Sequence, residues 1–119
     1  MIAVAGRAAT ATGLHDRISF QVADVAALPC DDHSVDVVVS TLSLHHWPDP
    51  AAAAAEFARV PRPVGRVMIY DVRFAALGRA VAALGARPEF RPGGVRRAPV
   101  RVRWYPVTPF ARITAGTPR

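Results

Sequence analysis

Apolar and polar positions along this chain change period several times, and each change marks an element. Ile2, Ala5, Ala8 or Ala9 and Thr12 recur at helical spacing in an alanine-rich stretch, which predicts a helix from Met1 to Thr12 stopped by Gly13. A competing pattern makes Ile2 to Ala5 a strand and Gly6 the opening of a phosphate loop, with Asp24, 18 residues further on, near the acid position of a dinucleotide site. That fingerprint needs further glycines where the backbone meets pyrophosphate, and Gly6 is followed by Arg7, Ala8 and Ala9, so the helix is preferred. Ile18, Phe20 and Val22 then alternate with Ser19 and Gln21, the period of a strand, and Asp24 sits just past its end. Val25 to Ser34 reads as a loop carrying Pro29, Asp31 and Asp32. From Val35 to Val39 the residues are β-branched except Asp36, a run suited to a parallel strand covered on both faces.

Asp49 and Pro50 open the next element. A carboxylate there can accept the free N–H groups of a first turn, and proline at the first helical position gives up nothing, so Ala51 to Val60 is a predicted helix, stopped by Pro61 and Pro63. Gly65 supplies a turn before a buried strand, Val67 to Tyr70, that ends at Asp71. Phe74 to Leu84 is a further predicted helix ended by Gly85, with Phe74, Leu77, Val81 and Leu84 on one face. Val100 and Val102 alternate with Arg101 and Arg103, followed by Trp104 and Tyr105, and a last run covers Phe110 to Thr114. These two segments read as antiparallel edge strands with arginines facing water. The order is α, β, β, α, β, α and two closing strands, an α/β class.

Composition narrows the class. A chain of 119 residues, 51% hydrophobic and 20% charged, is one domain at most and too apolar for a disordered tail. No apolar stretch is long enough to span a membrane and no leader pattern stands at the N-terminus, so a cytoplasmic protein without a membrane partner is expected. Cys30 is the one cysteine, which excludes an internal disulfide and a multi-cysteine metal site. Up to Ala58 two arginines face seven acids, a net of −5; from Arg59 onward thirteen arginines face two acids, a net of +11. All fifteen basic residues are arginine and 23 residues are alanine, a bias that GC-rich coding produces without selection for binding. Nucleic acid is therefore not expected as a partner on charge alone, and the arginines of the tail read as the solvated face of an edge strand.

Several side chains invite chemistry. Histidine as a residue type can act as a general base, so His45 and His46 could take a proton from a substrate hydroxyl; the plainer reading is a loop pair packed against Trp47. Cys30 and His33, with the two histidines, fall short of a zinc set, so no metal is expected. Ser40 lacks the strained turn of a hydrolase nucleophile. Asp36 reads as a structural acid at the start of its strand.

Four pieces in order carry a resemblance: Phe20 to Pro29, Ser34 to Ser40, Leu44-His45-His46-Trp47, and Arg59 to Arg66. Together they resemble the class I S-adenosylmethionine-dependent methyltransferases, in particular the small-molecule branch related to ubiquinone-biosynthesis methyltransferases. Phe110 to Ala115 looks like that family's closing strand. The resemblance implies a Rossmann-like sheet of order 3-2-1-4-5-7-6, S-adenosyl-L-methionine as cofactor and a small-molecule methyl acceptor. It places Asp24 against the adenine amino group, Val25 with its N–H on the ring, Ser40 and Thr41 beside the methionine end, and His45 and His46 near the substrate entrance. It also implies departures. The glycine-rich loop and the ribose-binding acid have no counterpart here, so the chain corresponds to a member starting inside the helix after the second strand, with roughly 40 to 60 residues absent. Pro61 stands where leucine is usual, and Val64 where glycine is usual at a turn favouring positive φ.

In that order the absent strands would lie between Ile18–Val22 and Val35–Val39, a gap of about 14 Å at about 4.8 Å per strand. Three outcomes are open: the first strand swings in beside the second, another chain fills the gap, or the product folds poorly. Functionally, the chain is either part of a methyltransferase or a non-catalytic fragment, an interaction module or pseudoenzyme that self-associates through exposed strand edges.

Overall fold

A computed structural model describes residues 2–72, 75–90, 94–101, 103–104 and 109–117. Helix α1 (Ile2–Ala11) is followed by strand β1 (Val35–Thr41), helix α2 (Pro50–Arg59), strand β2 (Pro61–Val72), helix α3 (Ala75–Gly85) and strands β3 (Val95–Pro99) and β4 (Phe110–Gly116). The strands form one sheet of order β1-β2-β4-β3, with β1 parallel to β2 and β4 antiparallel to both β2 and β3. This is the 4-5-7-6 portion of the expected order. Among the described residues no helix is long and apolar enough to cross a membrane.

Local chemistry accounts for the helices. Asp49 caps α2, its Oδ1 accepting the N–H of Ala51 and of Ala52 at 3.0 and 3.1 Å, and Pro50 takes the first helical position. The alanines of α2 let it lie close to its neighbours: Ala53, Ala54 and Ala58 are buried, and they join Phe57, Leu77, Ala80 and Leu84 over Val67, Ile69, Ala111, Ile113 and Ala115 of the sheet. The predicted face of α3 is therefore correct at Leu77 and Leu84 and partly at Val81; Phe74 lies outside the described residues. Gly13, at φ +72°, ends α1 as expected, and the rival strand and phosphate loop at Ile2 to Gly6 is not formed.

Three expectations need correction. Ile18 to Val22 is not a strand; Ile18, Phe20 and Val22 are exposed, Val22 to 85%. Alternation prepares a strand, but a ladder needs a neighbour to take its N–H and C=O groups, and among the described residues no strand pairs with this segment. The segment has not swung in beside β1. Instead Phe20 and Gln21 close one side of an open apolar groove of about 530 Å³ whose other wall is Ile2, Val4, Ala5 and Ala8 of α1. The radius of gyration, 15.3 Å, exceeds the roughly 13.5 Å of a compact domain of this length.

Second, β1 is covered on one face. Val38 packs against the core, while Val37 and Val39 are 41% and 55% exposed. Third, the outer C-terminal strand is Val95–Pro99 rather than a segment starting at Val100. Pairing of Pro99 with Ala111 sets its end, and Val100 donates its N–H to Phe110 across the closing turn. Arg101, Arg103 and Trp104 follow it in irregular structure, whereas Val102 and Tyr105 lie outside the described residues. β3 is the edge of the sheet and β4 lies inside it.

The anticipated strain at Val64 is present. The register jumps from Val35↔Pro61 to Val37↔Arg66, so 62–65 loops out of β2, and Val64 sits at φ +64°. A β-branched residue there pays the left-handed penalty of about 1–2 kcal/mol, part of which a glycine returns through its freer unfolded chain. Val64 is largely exposed, so little packing is lost. Val64→Gly is expected to raise stability by about 1 kcal/mol, read as a higher urea midpoint at unchanged slope; a lower midpoint would contradict the strain.

Candidate functional site

Ligands of open α/β sheets gather at the carboxyl ends of parallel strands, which here means Ser40 and Thr41 of β1 and Asp71 of β2. Leu42 takes φ +52° and donates its N–H to the Tyr70 carbonyl at 2.8 Å, turning the chain away from β1. Ser40 and Ser43 then share a hydrogen bond between hydroxyls at 2.7 Å, and the Trp47 indole N–H donates to Ser43 Oγ at 3.2 Å. Between them runs the 3₁₀ turn Leu44–His46. Its anchor is Asp71, a carboxylate only 2% exposed. Oδ2 accepts the Leu44 N–H at 2.9 Å and Oδ1 the Val72 N–H at 2.8 Å.

That anchoring sets the histidines. His45 Nδ1 stands 3.9 Å from Asp71 Oδ1, with the imidazole half exposed. The rings of His45 and His46 lean on each other, centroids 3.9 Å apart and tilted by 45°. Trp47 meets Phe57 edge to face at 5.1 Å, beside the loop pair of His45 and His46. The imidazole of His45 is thus half exposed and lies beside a buried carboxylate.

Asp24 and Val25 form a separate part. Asp24 Oδ1 accepts the Ala26 N–H at 2.9 Å and its carbonyl the Ala27 N–H at 3.0 Å, an Asx-type turn. Among the described residues, Oδ2 of Asp24 and the N–H of Val25 carry no hydrogen bond. Val25 packs its side chain against the core. A carboxylate oxygen and a backbone N–H on adjacent residues are one acceptor and one donor. No hydrogen bond or ion pair among the described residues joins this turn to the Ser40–Asp71 cluster.

The turn is held by Arg59 of α2. Its guanidinium donates to the carbonyls of Leu28 and Cys30 at 3.1 and 2.7 Å and to Asp32 Oδ1 at 2.8 Å, and it pairs with both oxygens of Glu56 at 2.7 and 2.8 Å. Glu56 Oε2 also accepts the Leu28 N–H at 2.7 Å. The Arg59 hydrogen bonds hold the Glu56 carboxyl below its ordinary value of 4.5, against the opposing effect of burial, and those partners raise Arg59 further above its own. A lowered carboxyl stabilises the fold above the unfolded value and loses that contribution as pH falls through the folded one. The clamp therefore loosens in acid, freeing the loop that follows Asp24.

Asp71 and Ser43 were not singled out by the sequence. The available signal was position: Asp71 follows an apolar run at the end of a parallel strand, as Asp24 follows Ile18 to Val22.

Residues 1–69 match a family model described as a methyltransferase domain. The chain is 45% identical over 60 residues to the methyltransferase GfsG of Streptomyces halstedii, covering 50% of this chain and 22% of that one. It is 46% identical over 56 residues to 27-O-demethylrifamycin SV methyltransferase of Amycolatopsis mediterranei, covering 47% of this chain and 21% of the relative. It thus spans about a fifth of the length of these curated relatives. Geranyl diphosphate C-methyltransferase from Streptomyces coelicolor, solved with Mg2+, geranyl diphosphate and S-adenosyl-L-homocysteine, shares the fold at a TM-score of 0.71 and 10% identity, over 98% of this chain and 59% of that one.

Proposed function

Because the chain belongs to the methyltransferase domain family, we propose that it supplies the adenine contact and the acceptor side of an S-adenosyl-L-methionine-dependent methyl transfer to a small molecule. The observation that carries this reading is the pairing, on adjacent residues, of a carboxylate oxygen at Asp24 and an N–H at Val25 that have no hydrogen-bond partner among the described residues. Ser40 and Thr41 are assigned to the methionine end, Ser40 as part of the hydroxyl pair with Ser43. Bound S-adenosyl-L-methionine supplies an electrophilic methyl group on a sulfonium, so the protein's task is mainly alignment. His45 is assigned as the group that accepts the acceptor's proton at Nε2, with Asp71 orienting the ring from the Nδ1 side; His46 packs against it. The names of the relatives support a small-molecule acceptor, one acting on a rifamycin and one on geranyl diphosphate. The Leu44-His45-His46-Trp47 segment supports the ubiquinone-biosynthesis-like branch. The further parts of the cofactor cradle, a glycine-rich loop and a ribose-binding acid, belong in this reading to sequence that the 119 residues do not contain.

Titration of the isotope-labelled chain with S-adenosyl-L-homocysteine tests this. Amide shifts at Asp24, Val25, Ser40 and Thr41 are expected, and Asp24→Ala should weaken binding about tenfold, the value of a hydrogen bond to a charged group. His45→Gln should leave that binding unchanged while slowing methyl transfer at least about tenfold. Absence of shifts at Asp24 and Val25 at saturating ligand would remove the cofactor assignment.

A further inference from the structure

Between Asp24 and Ser34 the chain forms no helix and no ladder strand, only the bridge of Asp24 to Ala27, so its path is set by the groups it bonds to. Those groups stand at one end of α2. His33 and Ser34 donate their N–H groups to the carbonyls of Arg59 and Val60 at 2.9 and 2.8 Å. Nearer to Asp24, Leu28 is gripped from both sides: Glu56 Oε2 accepts its N–H at 2.7 Å, and Arg59 Nη2 donates to its carbonyl at 3.1 Å. Ala27, the residue before it, donates its N–H to the Asp24 carbonyl at 3.0 Å. The hold on Leu28 therefore passes directly into the turn that presents Asp24 and Val25.

The guanidinium of Arg59 is fully engaged. It carries five N–H donors in one plane, and all five are used: Nε and one Nη2 proton on Glu56, the other Nη2 proton on the Leu28 carbonyl, and the two Nη1 protons on the Cys30 carbonyl and Asp32 Oδ1. A lysine ammonium offers three donors from a single point and cannot span these acceptors. Among the described residues no hydrogen bond or ion pair joins Arg59 to Asp24 or Val25, so any influence on them passes through the backbone of the loop.

We propose that Arg59, with Glu56 beside it, is a positioning residue for the adenine contact, acting through Leu28 on Asp24 and Val25; the role rests on the cofactor reading given above. The physical reason is preorganisation. A loop without secondary structure of its own must be ordered when a ligand arrives, and that ordering subtracts from affinity. Held by five donors and one carboxylate, the loop is ordered beforehand. The bonds from His33 and Ser34 to α2 are made by backbone carbonyls and survive a change of the Arg59 side chain, so the loss in a variant is confined to the part of the loop next to Asp24.

Titration of the isotope-labelled 119-residue chain with S-adenosyl-L-homocysteine, in four forms, tests this: unaltered, Asp24→Ala, Arg59→Lys and the double variant. Arg59→Lys is expected to weaken binding about fivefold, the value of about one hydrogen bond, and to speed amide exchange at Ala27 and Leu28. Since Arg59 acts through the same contact, the double variant should be weakened by much less than the product of the two single losses, a coupling that general destabilisation does not produce. Asp49→Ala, which removes the cap at the other end of α2 and lowers stability, should leave the affinity unchanged. Protection of Val67 and Ile69 shows that a variant has folded; should the lysine variant not fold, Glu56→Gln carries the same expectation. Equal affinities for the unaltered and Arg59→Lys chains overturn the positioning role and leave the cofactor reading intact. So does a double variant weakened by the full product. Absence of shifts at Asp24 and Val25 in the unaltered chain overturns the cofactor reading and the positioning role together.

Discussion

Asp71→Asn is expected to destabilise the protein by about 2–3 kcal/mol, although it changes one oxygen to an NH2 group. The carboxylate is buried and both its oxygens are occupied, one by Leu44 N–H and the other by Val72 N–H. Asparagine offers one acceptor oxygen. In either orientation its NH2 points at a backbone donor, so one buried N–H loses its partner and the amide's own protons find none. A hydrogen bond to a charged group is worth about 1.5–3 kcal/mol, and a stranded buried donor costs a comparable amount. The effect should also be local. Leu44 starts the turn that carries His45 and His46, so amide exchange at 44–46 should rise more than in α3. Urea unfolding gives the magnitude and exchange gives the place; a loss below about 1 kcal/mol would show that the turn finds another acceptor.

The second large effect is Gly65→Ala, expected to cost about 3 kcal/mol. A Cβ at this position would lie 2.6 Å from the Arg62 carbonyl, 2.9 Å from Pro61 Cβ and 3.2 Å from the Asp36 carbonyl. Two of these neighbours are backbone and the third is a proline ring, so none can rotate away. Relief requires the 62–65 loop to open, and that loop is tied to the C-terminus: Thr117 Oγ1 donates to the Arg62 carbonyl at 2.8 Å and Thr117 N–H to the Gly65 carbonyl at 3.1 Å. The same chemical change at Gly78, where a Cβ meets nothing within 4 Å, is the control for a helix position. Equal unfolding midpoints for the two variants would refute the crowding at Gly65.

Local rules carried well where the interaction partners are near in sequence. Asp49 caps a helix whose first N–H groups are two and three residues away, which the sequence alone made legible; the αL strain of Val64 was legible through the resemblance, which has glycine at that turn. The motif order also implied the β1-β2-β4-β3 arrangement through family resemblance. Ile18 to Val22 shows the opposite case. Its alternation is as clear as that of any strand in the chain, yet it pairs with no strand among the described residues and stays exposed. Asp71 went unread because its importance comes from Leu44, 27 residues away. The same is true of Arg59, whose partners Leu28, Cys30 and Asp32 lie about one loop and one strand upstream in sequence.

The amino-acid order by itself determined the three helices and the strands of Val35–Thr41 and Pro61–Val72, because capping, periodicity and turn preference act within a few residues, while the candidate residues Asp24, Val25, Ser40, Thr41, His45 and His46 were placed by the resemblance to the methyltransferases. Only the tertiary structure decided that Ile18 to Val22 stays unpaired, that one face of β1 is open, and that Asp71 stands under His45. Those outcomes depend on which distant groups arrive to satisfy a backbone donor or an apolar face, and local pattern contains no record of the arrivals.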